Sequence, residues 1–211
     1  MIVTFNNHFK QICINLLPLK KVFVLGLSGG IDSMALLYLL KNFLEKNKGF
    51  EIEIFPVIID HNLREESSKE ACEVENIAKK LGFKTSIQKI FDKKPTGNIQ
   101  NWARKKRRDL LFEATYKLSA NLLLAHHFDD QAETLFMRFA KKSGLDGLRG
   151  MQSVLSWNGI LIIRPLLSFK KKQLRTFVDH NKITFYEDAS NAMPKFERVK
   201  TRFLLDKMSK K

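Results

Sequence analysis

The chain has 211 residues, which is enough for one substantial domain and too few for two full-sized ones. Lys and Arg together number 37 against 22 Asp and Glu, so the formal net charge is +15. With 44% hydrophobic residues, the composition is that of an ordinary globular protein and excludes the disordered and fibrous classes. The charge excess favours a polyanionic partner such as nucleic acid, although solubility alone could also explain it.

Membrane, secretory and cysteine signals are weak in this chain. No apolar run approaches the roughly 18–20 residues that a membrane helix needs. The first ten residues lack the charged, apolar and small segments of a signal peptide, so a cytoplasmic location is expected. Cys13 and Cys72 form no CxxC motif, which argues against a disulfide scaffold, a zinc ribbon or an iron–sulfur site.

Strand and helix patterns alternate from residue 21 onwards. The first apolar segment is almost continuous and rich in β-formers, which predicts a strand buried on both faces. Pro56 in the next apolar segment indicates a bulge or an edge at that point. Strands are predicted at residues 21–27, 52–60, 85–90, 121–125 and 159–163, and helices at residues 33–46, 65–81, 99–118, 129–141 and 170–180.

This alternation predicts parallel strands joined by right-handed crossovers. We therefore expect an α/β fold, a Rossmann-like, doubly wound and mostly parallel sheet of about five strands with helices on both faces. Ligands of such sheets bind beyond the carboxyl ends of the strands. Three segments of the chain meet that condition, those after Leu27, Ile59 and Ala125.

The first of these segments is a glycine loop, residues 28–33, with the sequence SGGIDS. Gly29 and Gly30 let the backbone approach an oxyanion without interference from a Cβ atom. The Ser hydroxyls and the N–H groups of the following helix would add donors for a phosphate. The loop lacks the Lys of a Walker A motif and does not match the GxGxxG dinucleotide pattern. A plain strand-to-helix turn capped by Asp32 or Ser33 is the alternative.

The other two segments are rich in polar side chains. Asp60 and His61 follow the second strand, where a simple polar loop is the alternative to a binding role. Residues 126–130, HHFDD, hold two histidines and two carboxylates, a set too dense for helix capping alone. A metal site and an acid–base cluster both fit this set, and the lack of HExxH or an open three-histidine arrangement makes zinc the weaker choice.

Two stretches of the chain concentrate positive charge. Residues 104–108 are five consecutive cations on a predicted helix, where two or three can share a face and a solvated surface is the alternative. The residues after 190 carry seven cations against two carboxylates, which suits contact with phosphates.

In their order along the chain, these segments resemble the tRNA(Ile)-lysidine synthetase family of the N-type ATP pyrophosphatases, or PP-loop superfamily. The glycine loop alone fits the whole superfamily, whereas AHHFDDQAET is much more specific. The resemblance runs from about residue 20 to about residue 202. The matching segments are SGGIDS at 28–33, DHNLR at 60–64, ARKKR at 103–107, AHHFDDQAET at 125–134, SGLDGLRGM at 143–151, RPLL at 164–167 and EDASN at 187–191.

The resemblance implies an ATP-dependent ligase acting on the wobble cytidine of the isoleucine tRNA that reads AUA. ATP would adenylate carbon 2 of the cytidine, and the amino group of free lysine would then expel AMP. Mg²⁺ would come with ATP, with Asp32 as its candidate ligand. The implied catalytic residues are Asp32, Arg104, His127 and Asp130; the implied ATP-binding residues are Ser28, Gly29, Gly30, Ile31, Asp32 and Ser33; and the implied substrate-binding residues are Asp60, His61, Arg64, Arg107, His126 and Asp129.

The resemblance also implies a domain division and specific partners. Residues 1–190 would form the N-type ATP pyrophosphatase domain and residues 191–211 a basic C-terminal helix or tail, with no full C-terminal tRNA-binding domain. The expected partners are the tRNA anticodon loop and free lysine. A tRNA thiolase of the same superfamily and a non-catalytic RNA-binding relative are the rival interpretations. The absence of reactive-cysteine motifs argues against the first, and the intact motifs argue against the second.

Overall fold

The computed structural model describes residues 1–16, 21–62, 65–92, 95–142, 144 and 149–186. Arg64, EDASN, the predicted tail and most of SGLDGLRGM lie outside the described residues. No helix in the described ranges is both long and apolar enough to cross a membrane. The helices are α1 (Ile2–Leu16), α2 (Ile31–Lys46), α3 (Glu65–Lys80), α4 (Ile99–Lys117), α5 (Phe128–Ala140) and α6 (Lys171–His180), and the strands are β1 (Val22–Leu27), β2 (Glu53–Asp60), β3 (Ser86–Lys89), β4 (Asn121–Leu123), β5 (Val154–Trp157) and β6 (Ile160–Ile163).

The strands form one sheet in the order β3-β2-β1-β4-β6-β5. All neighbouring pairs are parallel except β5 and β6, which form an antiparallel hairpin. Five of the six residues of β1 are buried, because β2 and β4 flank it and helices cover both faces. The predicted α/β fold with a mostly parallel sheet is therefore confirmed.

Apolar side chains form a core on each face of the sheet. β1 directs Phe23, Leu25 and Leu27 into the larger core, which also holds buried residues of α1, α2, α3 and α6. The alternate residue Val24 faces the smaller core, where Leu111 of α4 packs. The helices α4 and α6 thus lie on opposite faces of the sheet.

The sheet has six strands among the described residues, one more than the sequence predicts. The additional strand is β5, a half-exposed edge strand with little apolar patterning. Its turn to β6 is Asn158-Gly159, with φ of 48° and 73°. Asn-Gly with two positive φ angles is the preferred two-residue hairpin turn, so this dipeptide was the signal for β5.

The helix α1 is also absent from the sequence prediction. Its buried residues are Phe5, Phe9, Ile12 and Cys13, spaced as one face of a helix, between polar residues that obscure the pattern. Pro56, in contrast, lies in β2 where the pairing with β3 has not yet begun, since that register starts at Val57. The edge character predicted at Pro56 is therefore present locally, although β2 is an interior strand.

Candidate active site

A cleft of about 1070 Å³ opens at the carboxyl ends of β1, β4 and β6. The chain leaves β1 for β2 and β3 on one side and returns to β4 on the other, so the cleft lies at the point where strand order reverses. Open α/β sheets bind their ligands at this position. Leu122, Leu124 and Ile162 line part of the cleft, and most of its other lining residues are polar or cationic.

The glycine loop forms one side of the cleft and is held by its own serines. The Ser28 and Ser33 hydroxyls lie 3.1 Å apart, and the Ser33 hydroxyl donates to the Gly30 carbonyl over 2.9 Å. The Ser28 N–H in turn donates to the Ser33 hydroxyl over 3.3 Å. These bonds fix the loop in one shape while Ser28 stays exposed to the cleft.

The helix that follows the loop begins earlier than predicted. α2 starts at Ile31, and its N-cap is Gly30, which makes no side-chain capping bond. Neither Asp32 nor Ser33 caps the helix, so the alternative of a simple capped turn does not describe this loop. The N–H groups of the first turn and the positive end of the helix dipole instead adjoin the cleft, which suits an anion.

Position 29 requires a glycine, both for its backbone conformation and for lack of room for a Cβ atom. Its φ is +78°, and a Cβ atom there would lie 2.7 Å from Cγ2 of Val74 on α3. The Gly29 carbonyl accepts a hydrogen bond from the backbone N–H of Tyr186 over 3.0 Å. The Tyr186 hydroxyl donates to Glu73 of α3, and this bond raises the pKa of Tyr186 to about 12. The loop is thereby clamped between α3 and residue 186.

The HHFDD segment and the glycine loop meet through His127. Its Nε2 lies 3.5 Å from Oδ2 of Asp32 and 3.5 Å from Oδ2 of Asp130. His127 is also the N-cap of α5: its Nδ1 accepts from the Asp130 N–H, while the Asp130 carboxylate accepts from the His127 N–H. Because Nδ1 is an acceptor, the neutral imidazole carries its proton on Nε2, directed towards the carboxylates.

The charge state of His127 reflects two opposing influences. Burial lowers its pKa, but the hydrogen bond with Asp32 and the charges of Asp130, Asp32 and Asp129 outweigh burial and raise the pKa above the usual value. Full protonation would put a proton on Nδ1 and break the bond from the Asp130 N–H. His127 therefore links three carboxylates at the base of the site and does not itself line the cleft.

The adjacent His126 has the opposite environment and does line the cleft. Its pKa is lowered to about 4, chiefly by burial and further by the charges of Arg164, Arg107 and Arg104. The Asp130 carboxylate opposes this shift without overcoming it. The buried Nδ1 of His126 has no hydrogen-bond partner among the described residues. His126 is thus a neutral imidazole at pH 7 that lines the cleft and keeps Nδ1 buried.

Cations from α4 form one wall of the cleft. Arg104, Lys105, Arg107 and Arg108 line it, so four of the five consecutive cations share this side. Burial lowers the pKa of Arg107, and the charge of Arg104 lowers it further. The exception, Lys106, points away and pairs with Asp92 at 2.7 Å. Arg104, Lys105 and Arg108 are exposed to solvent as well as lining the cleft.

Several cleft residues were missed by sequence reasoning. Arg164 is 8% exposed, donates from Nη1 to the Gln152 carbonyl over 2.7 Å, and keeps a buried Nε without a partner among the described residues. It follows β6, so the strand-end rule would have found it had it been applied to that strand. The remaining cleft residues that were missed include Lys171, Lys172 and Arg175 of α6 and Tyr186.

Other predicted site residues lie off the cleft, among them Asp60, His61 and Asp129. Asp60 is 3% exposed and accepts from the Ser68 hydroxyl over 2.6 Å and from the Asn62 N–H over 2.8 Å. These bonds hold the end of β2 against α3. Asp129 accepts from the backbone N–H of Lys171 over 2.7 Å. Their substrate-binding roles stay predictions, as do the roles of the other predicted residues.

The site fits a nucleoside triphosphate with its cation better than a metal held by protein alone. The buried Oδ1 of Asp32 has no hydrogen-bond partner among the described residues, beside the N–H groups of α2. Carboxylate and phosphate oxygens are the ligands that Mg²⁺ takes. In the described part of the chain, no group of three or more His, Cys, Asp and Glu residues could hold a metal ion.

Comparison with known proteins identifies the family of the chain. Residues 1–208 match the PP-loop domain family, and the chain belongs to that family. Membership implies that the chain uses ATP. The chain is also 42% identical over 182 residues to the tRNA(Ile)-lysidine synthase of Wolbachia pipientis wMel, an alignment covering 85% of this chain and 42% of the relative.

A more distant relative shows the same likeness. The tRNA(Ile)-lysidine synthase of Chlamydia muridarum is 33% identical over 200 residues, which cover 93% of this chain and 60% of the relative. The chain spans about two fifths of the length of the Wolbachia and Rickettsia relatives that it matches.

Two solved structures share the fold. U34-tRNA thiolase NcsA from Methanococcus maripaludis superposes with a TM-score of 0.79 at 16% identity, over 99% of this chain and 72% of that one. NAD+ synthetase from Burkholderia pseudomallei superposes with a TM-score of 0.57 at 11% identity, over 95% of this chain and 73% of that one. At such identities the likeness concerns the fold alone.

Proposed function

We propose that this chain is the catalytic domain of an ATP-dependent ligase that joins lysine to carbon 2 of the wobble cytidine of the AUA-reading isoleucine tRNA. The observation that carries the proposal is the meeting of two motifs at one cleft. Asp32 of the glycine loop lies 3.5 Å from His127, which begins the HHFDD helix. The named activity of the Wolbachia and Chlamydia relatives supports the same reaction.

ATP binds with its phosphates on the glycine loop. The N–H groups at the start of α2 and the Ser28 hydroxyl donate to phosphate oxygens, and the helix dipole adds a favourable field. Asp32 would hold Mg²⁺ on those phosphates, where the ion neutralises charge during phosphoryl chemistry. His127 donates from Nε2 towards Asp32 and so orients that carboxylate.

The first step is adenylation of the cytidine. Its oxygen on carbon 2 attacks the α-phosphorus of ATP; a new P–O bond forms, and the bond to the bridging oxygen breaks to release pyrophosphate. Negative charge that develops on the phosphates is offset by Arg104, Lys105 and Arg107 on the α4 wall. The product has a good leaving group at carbon 2 in place of a poor one.

The second step is attack by lysine. The deprotonated side-chain amine forms a C–N bond at carbon 2, and the C–O bond breaks to release AMP. The amine must lose a proton for this step, and the Asp130 carboxylate at the cleft can accept it. Asp130 lies in the first turn of α5, next to the phosphate site.

The proposal is tested by incubating the protein with an isoleucine tRNA transcript, Mg-ATP and labelled lysine. Label in the tRNA, with one AMP and one pyrophosphate formed per lysine, is expected. Asp32→Asn should abolish incorporation, whereas Glu45→Gln, an exposed carboxylate near the other end of α2, should not. AMP formation without lysine incorporation would refute the proposed ligation.

The environment of the two cysteines does not support sulfur transfer, the nearest rival reaction. Cys13 is 1% exposed within the larger core, where burial raises its pKa to about 12. Cys72 is exposed on α3, and neither residue lines the cleft. A thiolase needs an accessible thiolate or a cluster near its substrate. Sulfur incorporation in place of lysine in the same assay would favour the rival.

A further inference from the structure

The cleft has a second cationic wall, which the first turns of α6 provide. Lys171, Lys172 and Arg175 line the same cleft as the α4 cations. α4 packs on the smaller core through Leu111, whereas α6 packs on the larger core through Leu174, so the two walls come from opposite faces of the sheet. The phosphate backbone of a nucleic acid that crosses this edge of the sheet would lie between the α4 cations and the α6 cations.

The side chains of Lys171 and Lys172 form no ion pair within the described part of the protein. Neither the Lys171 nor the Lys172 ammonium group has a carboxylate partner among the described residues, in contrast to Lys106 with Asp92 and Lys117 with Glu113 on α4. Unpaired lysines beside a cleft suit phosphates, which they contact as point charges without reading sequence.

Asp129 fixes this wall to the start of α5. Its Oδ2 accepts from the Lys171 N–H over 2.7 Å, and the Phe128 N–H donates to the Phe169 carbonyl over 2.9 Å. The two bonds join the first turn of α5 to Phe169 and Lys171, at the start of α6. Loss of the Asp129 carboxylate would remove the acceptor of the Lys171 N–H and loosen the first turn of α6, while Leu174 and Phe177 keep the rest of the helix on the larger core.

We propose that Lys171 and Lys172 contact phosphates of the RNA backbone next to the reacting nucleotide, and that Asp129 is the positioning residue that holds them there. The inference rests on the proposed function and adds a contact surface to it. ATP already has the glycine loop and the α4 wall for its phosphates, and the cleft, at about 1070 Å³, has room for a second anionic ligand.

The α6 wall is tested by steady-state kinetics of the double variant Lys171→Ala/Lys172→Ala. The KM for tRNA should rise about tenfold, and the slope of log binding constant against log salt should fall in magnitude by about 1.5, as for two lost phosphate contacts. The KM for ATP should stay within about twofold. Lys79→Ala/Lys80→Ala, the same charge change at exposed positions at the end of α3, is the control.

Two outcomes overturn the contact. A higher KM for ATP with an unchanged KM for tRNA would show that the lysines bind ATP. Equal effects of both double variants on the KM for tRNA would show that Lys171 and Lys172 act only through the overall charge of the protein. Lack of lysine incorporation by the wild type would instead refute the proposed function, while filter binding of tRNA would still test the α6 wall.

Asp129 is tested by two variants and a double-mutant cycle. Asp129→Ala should raise the KM for tRNA with little change in kcat, and Asp129→Asn, which keeps a carbonyl acceptor for the Lys171 N–H, should raise it less. In the Lys171→Ala/Lys172→Ala background, Asp129→Ala should add little, because it acts through the same two side chains. Equal loss of kcat in both Asp129 variants would make it a catalytic residue and overturn its positioning role.

Discussion

The adjacent imidazoles of His126 and His127 differ because one faces the cleft and the other caps α5. Burial and nearby arginines lower the pKa of His126 to about 4, below an unfolded value near 6.5. The unfolded chain therefore binds the proton first, so His126 reduces stability as pH falls from about 6.5 towards 4 and has little effect above about 7.

This sign gives a prediction for His126→Gln. Between pH 7 and pH 5, the wild type should lose about 2 kcal/mol more unfolding free energy in urea than the variant. His180→Gln, at the exposed end of α6, controls for the loss of an imidazole. Parallel pH profiles for wild type and His126→Gln would contradict the buried, neutral state of His126.

Gly29→Ala is the second prediction at this scale. The new Cβ would take a φ of +78° and meet Cγ2 of Val74 at 2.7 Å. Strain of about 1–2 kcal/mol from the backbone and about 1–3 kcal/mol from the overlap should lower the unfolding free energy. In a Val74→Ala background, measured relative to Val74→Ala alone, Gly29→Ala should lose only the contribution of the overlap. Gly49→Ala, which meets no atom within 4 Å, should change stability little, and equal effects at Gly29 and Gly49 would contradict this account.

The motifs indicate which segments form the site but not which side chains enter it. The density of polar residues in HHFDD marks the segment as a candidate site. His127 and Asp130, however, form the capping hydrogen bonds at the N-terminus of α5, and of the two histidines only His126 lines the cleft. That choice depends on the exact start of the helix, which sequence periodicity places only to within a residue or two. Arg164 follows directly after β6, so the strand-end rule applies to it as well.

At the scale of elements, α1 is a helix that tertiary packing stabilises although its sequence pattern does not predict it. Phe9 of α1 stacks with Phe5 and makes an edge contact with Phe43 of α2, with ring centroids 4.9 Å apart. Phe9→Ala should therefore cost about 3–5 kcal/mol of unfolding free energy. Val3→Ala, on the same helix at 69% exposure, should cost less than about 0.5 kcal/mol. Urea denaturation distinguishes the two, and a loss below about 1 kcal/mol for Phe9→Ala would show that α1 is not part of the core.

The elements that were predictable share a property that α1 and β5 lack. The interior strand β1 is continuously apolar, because both of its faces are covered, and the apolar residues of α2 follow directly after a glycine loop. β5 has one sheet neighbour and side chains that are at least partly exposed, so its apolar signal is weak and only the Asn158-Gly159 turn identifies it.

For the whole molecule, part of the excess positive charge is concentrated at the cleft. Of the described cations, four on α4, three on α6 and Arg164 line one cavity, whereas many others pair with neighbouring carboxylates. A net field speeds the approach of a polyanion, and direct contacts slow its departure. These two effects of charge can be separated by kinetics.

We predict that the association rate constant for tRNA falls steeply with salt in the wild type and in both double-lysine variants. A net charge of +13 instead of +15 changes the long-range field only slightly, so both variants should keep an association rate within about twofold of wild type. Lys171→Ala/Lys172→Ala should in addition raise the dissociation rate constant about tenfold, because it removes two contacts in the bound state. Lys79→Ala/Lys80→Ala should leave dissociation unchanged. Stopped-flow measurement with labelled tRNA distinguishes the two, and a tenfold slower association without faster dissociation would show that the α6 lysines steer the RNA and do not hold it.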